Sequence, residues 1–249
     1  MNLEGKVCLV TGGSSGIGAA TALALAGKGT HVAVAARRPL PLPADLLAAV
    51  SAHGMRASFV KADVADPAAC RKCVDEVVSE FGALDVLIHS AGGPAPGGFY
   101  TVTEESWMNA FAVHVHSAFW LARAVAPQMA KQDGGAIILL GSAAGMRGCL
   151  GAFAYGVVKG ALPHFARVLG RELADQNIRV NCVSPGVIRT PFHDAMSPEQ
   201  AKNNVENRIP LHREGKPEDV AALITTLVEN DFITGENMVI DGGMTMRIV

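Results

Sequence analysis

The stretch Val7-Cys-Leu-Val-Thr11-Gly-Gly-Ser-Ser-Gly16-Ile-Gly18 decides the fold. Val7–Val10 is apolar at every position, which predicts a strand buried on both faces. The glycines that follow open an Ala/Leu-rich segment with helical periodicity that runs to about Lys28. A strand that turns through glycines into a helix brings backbone N–H groups and the positive end of a helix dipole to one point. Such a point binds a pyrophosphate, and the glycines let the backbone approach it closely. Gly12, Ser14, Ser15, Gly16, Ile17 and Gly18 are therefore the candidate cradle for a dinucleotide.

Further apolar runs follow at Val32–Ala35, Ser58–Val60, Val86–Ile88, Ala136–Leu140, Val180–Val183 and Met238–Ile240. Helical patterns near 44–53, 67–81, 103–131, 152–175 and 217–229 separate them. This alternation predicts an α/β fold: one doubly wound, Rossmann-type sheet of about seven parallel strands with helices on both faces. Residues 1–249 read as a single domain, with Pro39-Leu-Pro-Leu-Pro43 as a rigid connector. At 187–215, Pro, His, Asn and charges replace the apolar periodicity, which suggests a substrate-binding loop or lid.

Composition narrows the function. Twenty-one basic and 23 acidic residues give a net charge of −2, which argues against a nucleic-acid binder. Hydrophobic residues make up 49% and charged ones 18%, enough to build a large core and too apolar for disorder. Uninterrupted apolar runs are too short for a membrane span, and the N-terminus lacks a signal-peptide build, so a cytoplasmic location without membrane partners is expected. Five scattered cysteines fit a reducing compartment. Cys70-Arg-Lys-Cys73 has zinc-like spacing but no second pair, so no metal is expected.

Dinucleotide folds select the ribose near the end of the second strand. Here Val34-Ala-Ala-Arg37-Arg38 offers two arginines and no acid. Guanidinium pairs with phosphate bidentately, so NADP(H) is favoured over NAD(H), which stays the alternative; a solvated turn is the plainer reading of the pair. Asp63-Val64, after the third strand, is placed to meet an adenine amino group. Tyr155 and Lys159 stand at i and i+4, one turn apart on a helix face. A neighbouring ammonium favours phenolate and is expected to lower the Tyr155 pKa. Ser142 lies thirteen residues upstream, with a hydroxyl suited to a substrate carbonyl.

Together with Leu84–Gly92, Arg179–Gly186 and Asp241–Gly243, these motifs resemble the single-domain short-chain dehydrogenase/reductase family over essentially the whole chain. The resemblance implies Tyr155 as acid–base, Ser142 as the group positioning the carbonyl, and Lys159 holding the nicotinamide ribose and tuning Tyr155. It implies cofactor contacts at Ser90, Ala91 and Gly92. Pro185, Gly186, Val187, Ile188 and Thr190 would meet the nicotinamide end, with Thr190 on the carboxamide. It also implies a homotetramer or homodimer built through the 103–131 and 152–175 helices.

Two departures stand out. His89-Ser90 replaces the family's Asn-Asn before Ala91-Gly92, and His114 replaces an asparagine seven residues after Trp107. His114 is a candidate for the proton relay, titratable near pH 6.5, with plain gap-filling as the simpler reading. Leu150 and Phe192 are candidate substrate residues, with Phe99, Phe153 and Met196 as further walls; His193 and His212 sit in the suspected lid. Small and apolar side chains near 92–98 and 146–150 favour an uncharged carbonyl. An NADP(H)-dependent carbonyl reductase or alcohol dehydrogenase is the leading function. A 3-oxoacyl-thioester reductase and a non-catalytic dinucleotide sensor or scaffold are the alternatives.

Overall fold

Apolar strands separated by helices form one parallel sheet in the computed structural model, which describes residues 1–246 apart from Ala195. The strands are β1 (Val7–Thr11), β2 (His31–Ala36), β3 (Ala57–Lys61), β4 (Val86–His89), β5 (Gly135–Leu140), β6 (Ile178–Pro185) and β7 (Asn237–Ile240). Their spatial order is β3-β2-β1-β4-β5-β6-β7, and every pairing is parallel. Because β1 lies between β2 and β4, the crossovers leave it in opposite directions and open a crevice beyond the strands' carboxyl ends.

The strand period of two divides the core. Leu9, Leu87, Ile137 and Leu139 face one layer, together with α3 (Pro67–Phe81), α5 (Ser117–Ala130) and α7 (Phe153–Leu173). Cys8, Val10, Ile88 and Ile138 face the other, with α1 (Gly16–Ala26), α2 (Ala44–Ala52) and α9 (Pro217–Glu229). Strands β1, β4, β5 and β6 are buried at every residue, so both faces had to read as apolar. Each such Leu or Ile contributes about 1.5–3 kcal/mol on burial. The Cys70 and Cys73 thiols lie in this core, where burial pushes both up to about 12. Arg179, itself buried, donates to the Leu227 and Val228 carbonyls at 2.6 and 2.7 Å and so caps the end of α9.

The 103–131 segment is not one regular helix. It comprises α4 (Glu104–Phe111), a π-turn at Ala112–His116, and α5. The extra residue coincides with a tie from below: Ser117 Oγ donates to the Val113 carbonyl at 2.6 Å and meets His89 Nε2 at 2.8 Å. The remaining helices are α6 (Ala143–Met146) and, within 187–215, α8 (Pro198–Asn203), which continues into a second π-turn at Asn204–Arg208. No helix among the described residues is long and apolar enough to cross a membrane.

Candidate active site

The β1–α1 turn is built for a close approach. Gly12 has φ +68°, and a Cβ there would stand 2.7 Å from the Ala91 nitrogen; one on Gly18 would stand 2.3 Å from the Gly12 carbonyl oxygen. The N-terminus of α1 is left open. Its cap, Ser15, makes no side-chain hydrogen bond and its first turn carries no acid. By contrast Asp66, Thr103 and Ser197 cap α3, α4 and α8. Unspent N–H groups beside a glycine cradle fit a pyrophosphate.

From this turn a cavity of about 1020 Å³ runs along the sheet's carboxyl edge. Gly12, Ser14, Ser15, Gly16 and Ile17 line it, while Gly18 sits behind, packed on Gly12. Arg37, Arg38, Asp63 and Val64 lie at one end, and all but Val64 are exposed. Ser90, Ala91, Gly92, Pro185, Gly186, Val187, Ile188 and Thr190 also line it. The two ends of segment 187–215 are fastened together: Gly215 N donates to Val187 O at 2.9 Å, and Arg189 N to Gly215 O at 3.0 Å.

Ser142, Tyr155 and Lys159 meet at this cavity. Ser142 lies two residues beyond β5 and caps α6, accepting from Ala144 N at 3.1 Å. Helix α6 packs on α7 through Gly145, where a Cβ would stand 2.5 Å from Gly160 N. That contact brings Ser142 to Tyr155. Burial raises the Tyr155 pKa and the Ser142 hydroxyl pulls the other way; the Lys159 charge is not among the causes, contrary to the sequence expectation. Lys159 Nζ instead donates to the Leu140 carbonyl at 2.6 Å and lies 5.8 Å from the Tyr155 ring centre. Burial lowers the Lys159 pKa to about 8.

Both histidine departures are buried and neutral. Ser117 spends its proton on Val113 O, so it accepts from His89 Nε2–H; Nδ1 then accepts the Thr11 hydroxyl at 2.8 Å. Thr11 Oγ1 in turn accepts from Ala91 N at 3.3 Å. His89 thus ties β1, β4 and α5 together under the cofactor turn. His114 Nε2 donates to Gly93 O at 3.1 Å, and its ring stands edge-on to Tyr155 at 5.8 Å. Burial, then the Lys159 charge, lowers His89 to about 3 and His114 to about 2. The expected titration of His114 near pH 6.5 is therefore corrected: its imidazole stays neutral.

From segment 187–215, Phe192, His193 and Met196 line the cavity, with the Phe192 ring 5.8 Å from Tyr155. Leu150 is fully exposed and outside the lining; Phe99, Phe153 and His212, also exposed, are outside it too. Phe99 and Phe153 pack on each other, and Phe153 stacks on Trp107. The lining also includes Cys149, within the 146–150 stretch expected to border the pocket, Asn204 and Arg208, which the sequence did not single out within 187–215, and Ser106, Asn109 and Met244, which it did not mark at all. Ser106 and Asn109 stand on α4 and Asn204 and Arg208 on one π-turn, and none belongs to a local motif.

Residues 12–245 match the family described as Enoyl-(Acyl carrier protein) reductase. The chain is similar to 3-oxoacyl-(acyl-carrier-protein) reductase FabG of Thermotoga maritima, 36% identical over 99% of this chain and 100% of that protein. It is also similar to dehydrogenase/reductase SDR family member 4 of Oryctolagus cuniculus, 34% identical over 99% and 96%. Among solved structures, L-sorbose reductase of Gluconobacter frateurii, complexed with NADPH and L-sorbose, superposes with a TM-score of 0.90 at 30% identity, covering 100% of each chain. Likeness over the full length at these identities, on a sheet of this order with this crevice, places the chain in the short-chain dehydrogenase/reductase family, as an NAD(P)-dependent oxidoreductase acting on CH–OH/C=O groups.

Proposed function

We propose that the protein is an NADP(H)-dependent carbonyl reductase with Tyr155 as its acid–base. One observation carries this reading: Ser142, Tyr155 and Lys159 converge on a cavity whose far end holds Arg37 and Arg38. When bound, the nicotinamide supplies hydride to a carbonyl carbon or accepts it from a carbinol. The chain's own residues do the rest. The open α1 terminus holds the pyrophosphate, and Arg37 and Arg38 meet the 2′-phosphate. Ser142 donates to the carbonyl oxygen and Tyr155 gives it a proton as negative charge develops there. Lys159 fixes the nicotinamide ribose. Segment 187–215 serves as the lid that excludes water. Exposed Phe119, Val157 and Val168 on α5 and α7 support a homotetramer or homodimer, and five unpaired cysteines support a cytoplasmic setting.

The cofactor reading is tested by NADPH and NADH oxidation across ketones, oxoesters and 3-oxoacyl thioesters. Wild type uses NADPH in preference, and replacing both Arg37 and Arg38 by alanine lowers kcat/KM for NADPH about 10–100-fold. A variant that keeps the wild-type preference would overturn the arginine assignment. The likeness to the Thermotoga reductase supports the second reading, reduction of a 3-oxoacyl thioester. The same panel decides between them.

The protonation states predict a pH limb. Burial holds Tyr155 above its usual range, so it remains a proton donor at neutral pH. Lys159 is cationic below about 8 and neutral above it. Reduction therefore weakens as pH rises through about 8, and in Lys159→Met the residual activity lacks this limb. A wild-type kcat/KM profile flat to about pH 10, the ordinary tyrosine value, would contradict the role given to Lys159.

A further inference from the structure

The substrate end of the cavity holds a cation that the dinucleotide does not need. Among the described residues lining the cavity, Arg37, Arg38, Lys159 and Arg208 are the cations and Asp63 is the one carboxylate. The first three are taken by the two ends of the dinucleotide in the reading above. Arg208 comes from the lid, at the last position of the π-turn Asn204–Arg208. That turn closes with Ile209 N donating to Asn204 O at 2.8 Å.

Arg208 is itself exposed, and its guanidinium is tethered through one N–H to a buried side chain. Arg208 Nη1 donates to Asn204 Oδ1 at 2.8 Å, and Asn204 is only 3% exposed. Asn204 Nδ2 is itself engaged by Met196 Sδ at 3.4 Å. Burying an amide is costly unless it is hydrogen-bonded, so this one is a fixed support for the guanidinium. The lid's other arginines are spent on carboxylates: Arg189 on Glu214 and Arg213 on Asp219. Arg208 makes no ion pair among the described residues, and its positioning partner is a neutral amide that leaves the charge unneutralised. A guanidinium held this way, with most of its five N–H groups unspent and apolar Phe192 and Met196 nearby in the lining, matches a planar or tetrahedral anion. The other π-turn, Ala112–His116, also presents a residue, His114, to the same cavity. Such turns re-aim side chains and recur at functional sites.

We propose that Arg208 recognises an anionic oxygen group, carboxylate or phosphate, carried by the carbonyl substrate away from its reacting carbon. The proposal rests on the carbonyl-reductase reading and replaces the uncharged substrate that the flanking loops suggest.

The test compares oxo acids of increasing chain length with their methyl esters, and a 3-oxoacyl coenzyme A thioester with its N-acetylcysteamine analogue, all with NADPH. Wild type should prefer one anionic compound over its neutral partner by about tenfold or more in kcat/KM, mainly through KM. Arg208→Gln should bring that ratio close to one, and Arg208→Lys should keep part of it. A preference in the acid arm identifies a carboxylate; one in the thioester arm identifies a phosphate. Equal use of charged and neutral partners by wild type, or a preference that survives in Arg208→Gln, would overturn the proposal. Failure to oxidise NADPH with any compound would overturn the reductase reading as well.

Discussion

Replacing Tyr155 by phenylalanine should lower kcat by about 10²–10⁴-fold while leaving the NADPH Kd within about threefold. The substitution removes one oxygen and keeps the ring, so the packing against Phe192 and His114 stays in place. Only the proton donor is lost. Ser142 still offers a hydroxyl to the carbonyl oxygen, and the cradle, Arg37 and Arg38 are untouched. The effect should therefore fall on turnover and not on cofactor affinity, which fluorescence titration measures directly. Near-wild-type turnover in this variant would remove Tyr155 from the chemistry and return the non-catalytic sensor to consideration.

Acidification should destabilise this protein steeply, because two histidines are buried without charge. An unfolded imidazole takes a proton near pH 6.5, whereas native His89 and His114 do so only at about 3 and about 2. Between those values the unfolded chain binds more protons, so stability rises with pH and is lost as pH falls. Each histidine forfeits about 1.4 kcal/mol per pH unit over that window. Two pH units below the unfolded value, the pair accounts for about 5 kcal/mol, comparable to the whole stability of a marginal domain. Urea midpoints from pH 7 downward should show this slope. In the double variant His89→Asn, His114→Asn the slope should be shallower by about 2.8 kcal/mol per unit, even if the absolute stability is lower. An unchanged slope would mean that the two imidazoles are charged in the native state.

The parts of the site that were readable in the sequence are those whose geometry is local. Thr11–Gly18 must turn a strand into a helix wherever it occurs, and Tyr155 and Lys159 share a helix face by spacing alone. The central strands were legible because burial on both faces leaves unbroken apolar runs such as Ile137–Leu140, whereas the edge strands β3 and β7, only partly buried, left weaker signals. What spacing could not show depends on contacts between distant segments. The 103–131 helix carries no glycine to mark its wide turn; the interruption coincides with Ser117 bonding to His89, 28 residues upstream. Asn204, Arg208 and Met244 reach the cavity only through the tertiary placement of segment 187–215 and of the segment after β7. Leu150 follows the Ser142 loop and so reads as a pocket wall, yet its side chain points to solvent. The Tyr155 pKa moves up, and not down as spacing suggested, for a similar reason. Helical spacing sets which groups are neighbours, while burial decides that Lys159 bonds to Leu140 and that Tyr155 rises.

The central claim is that the protein carries hydride from NADPH to a carbonyl carbon with Tyr155 supplying the proton. It is tested most directly with NADPH carrying two deuterium atoms at C4 of its nicotinamide and the carbonyl panel described above, with mass spectrometry of the products. The wild-type enzyme should yield an alcohol carrying one deuterium on its carbinol carbon, with at least about 10²-fold less from Tyr155→Phe and less from NADH labelled in the same way. An alcohol without deuterium, or equal labelled product from wild type and Tyr155→Phe, would contradict it.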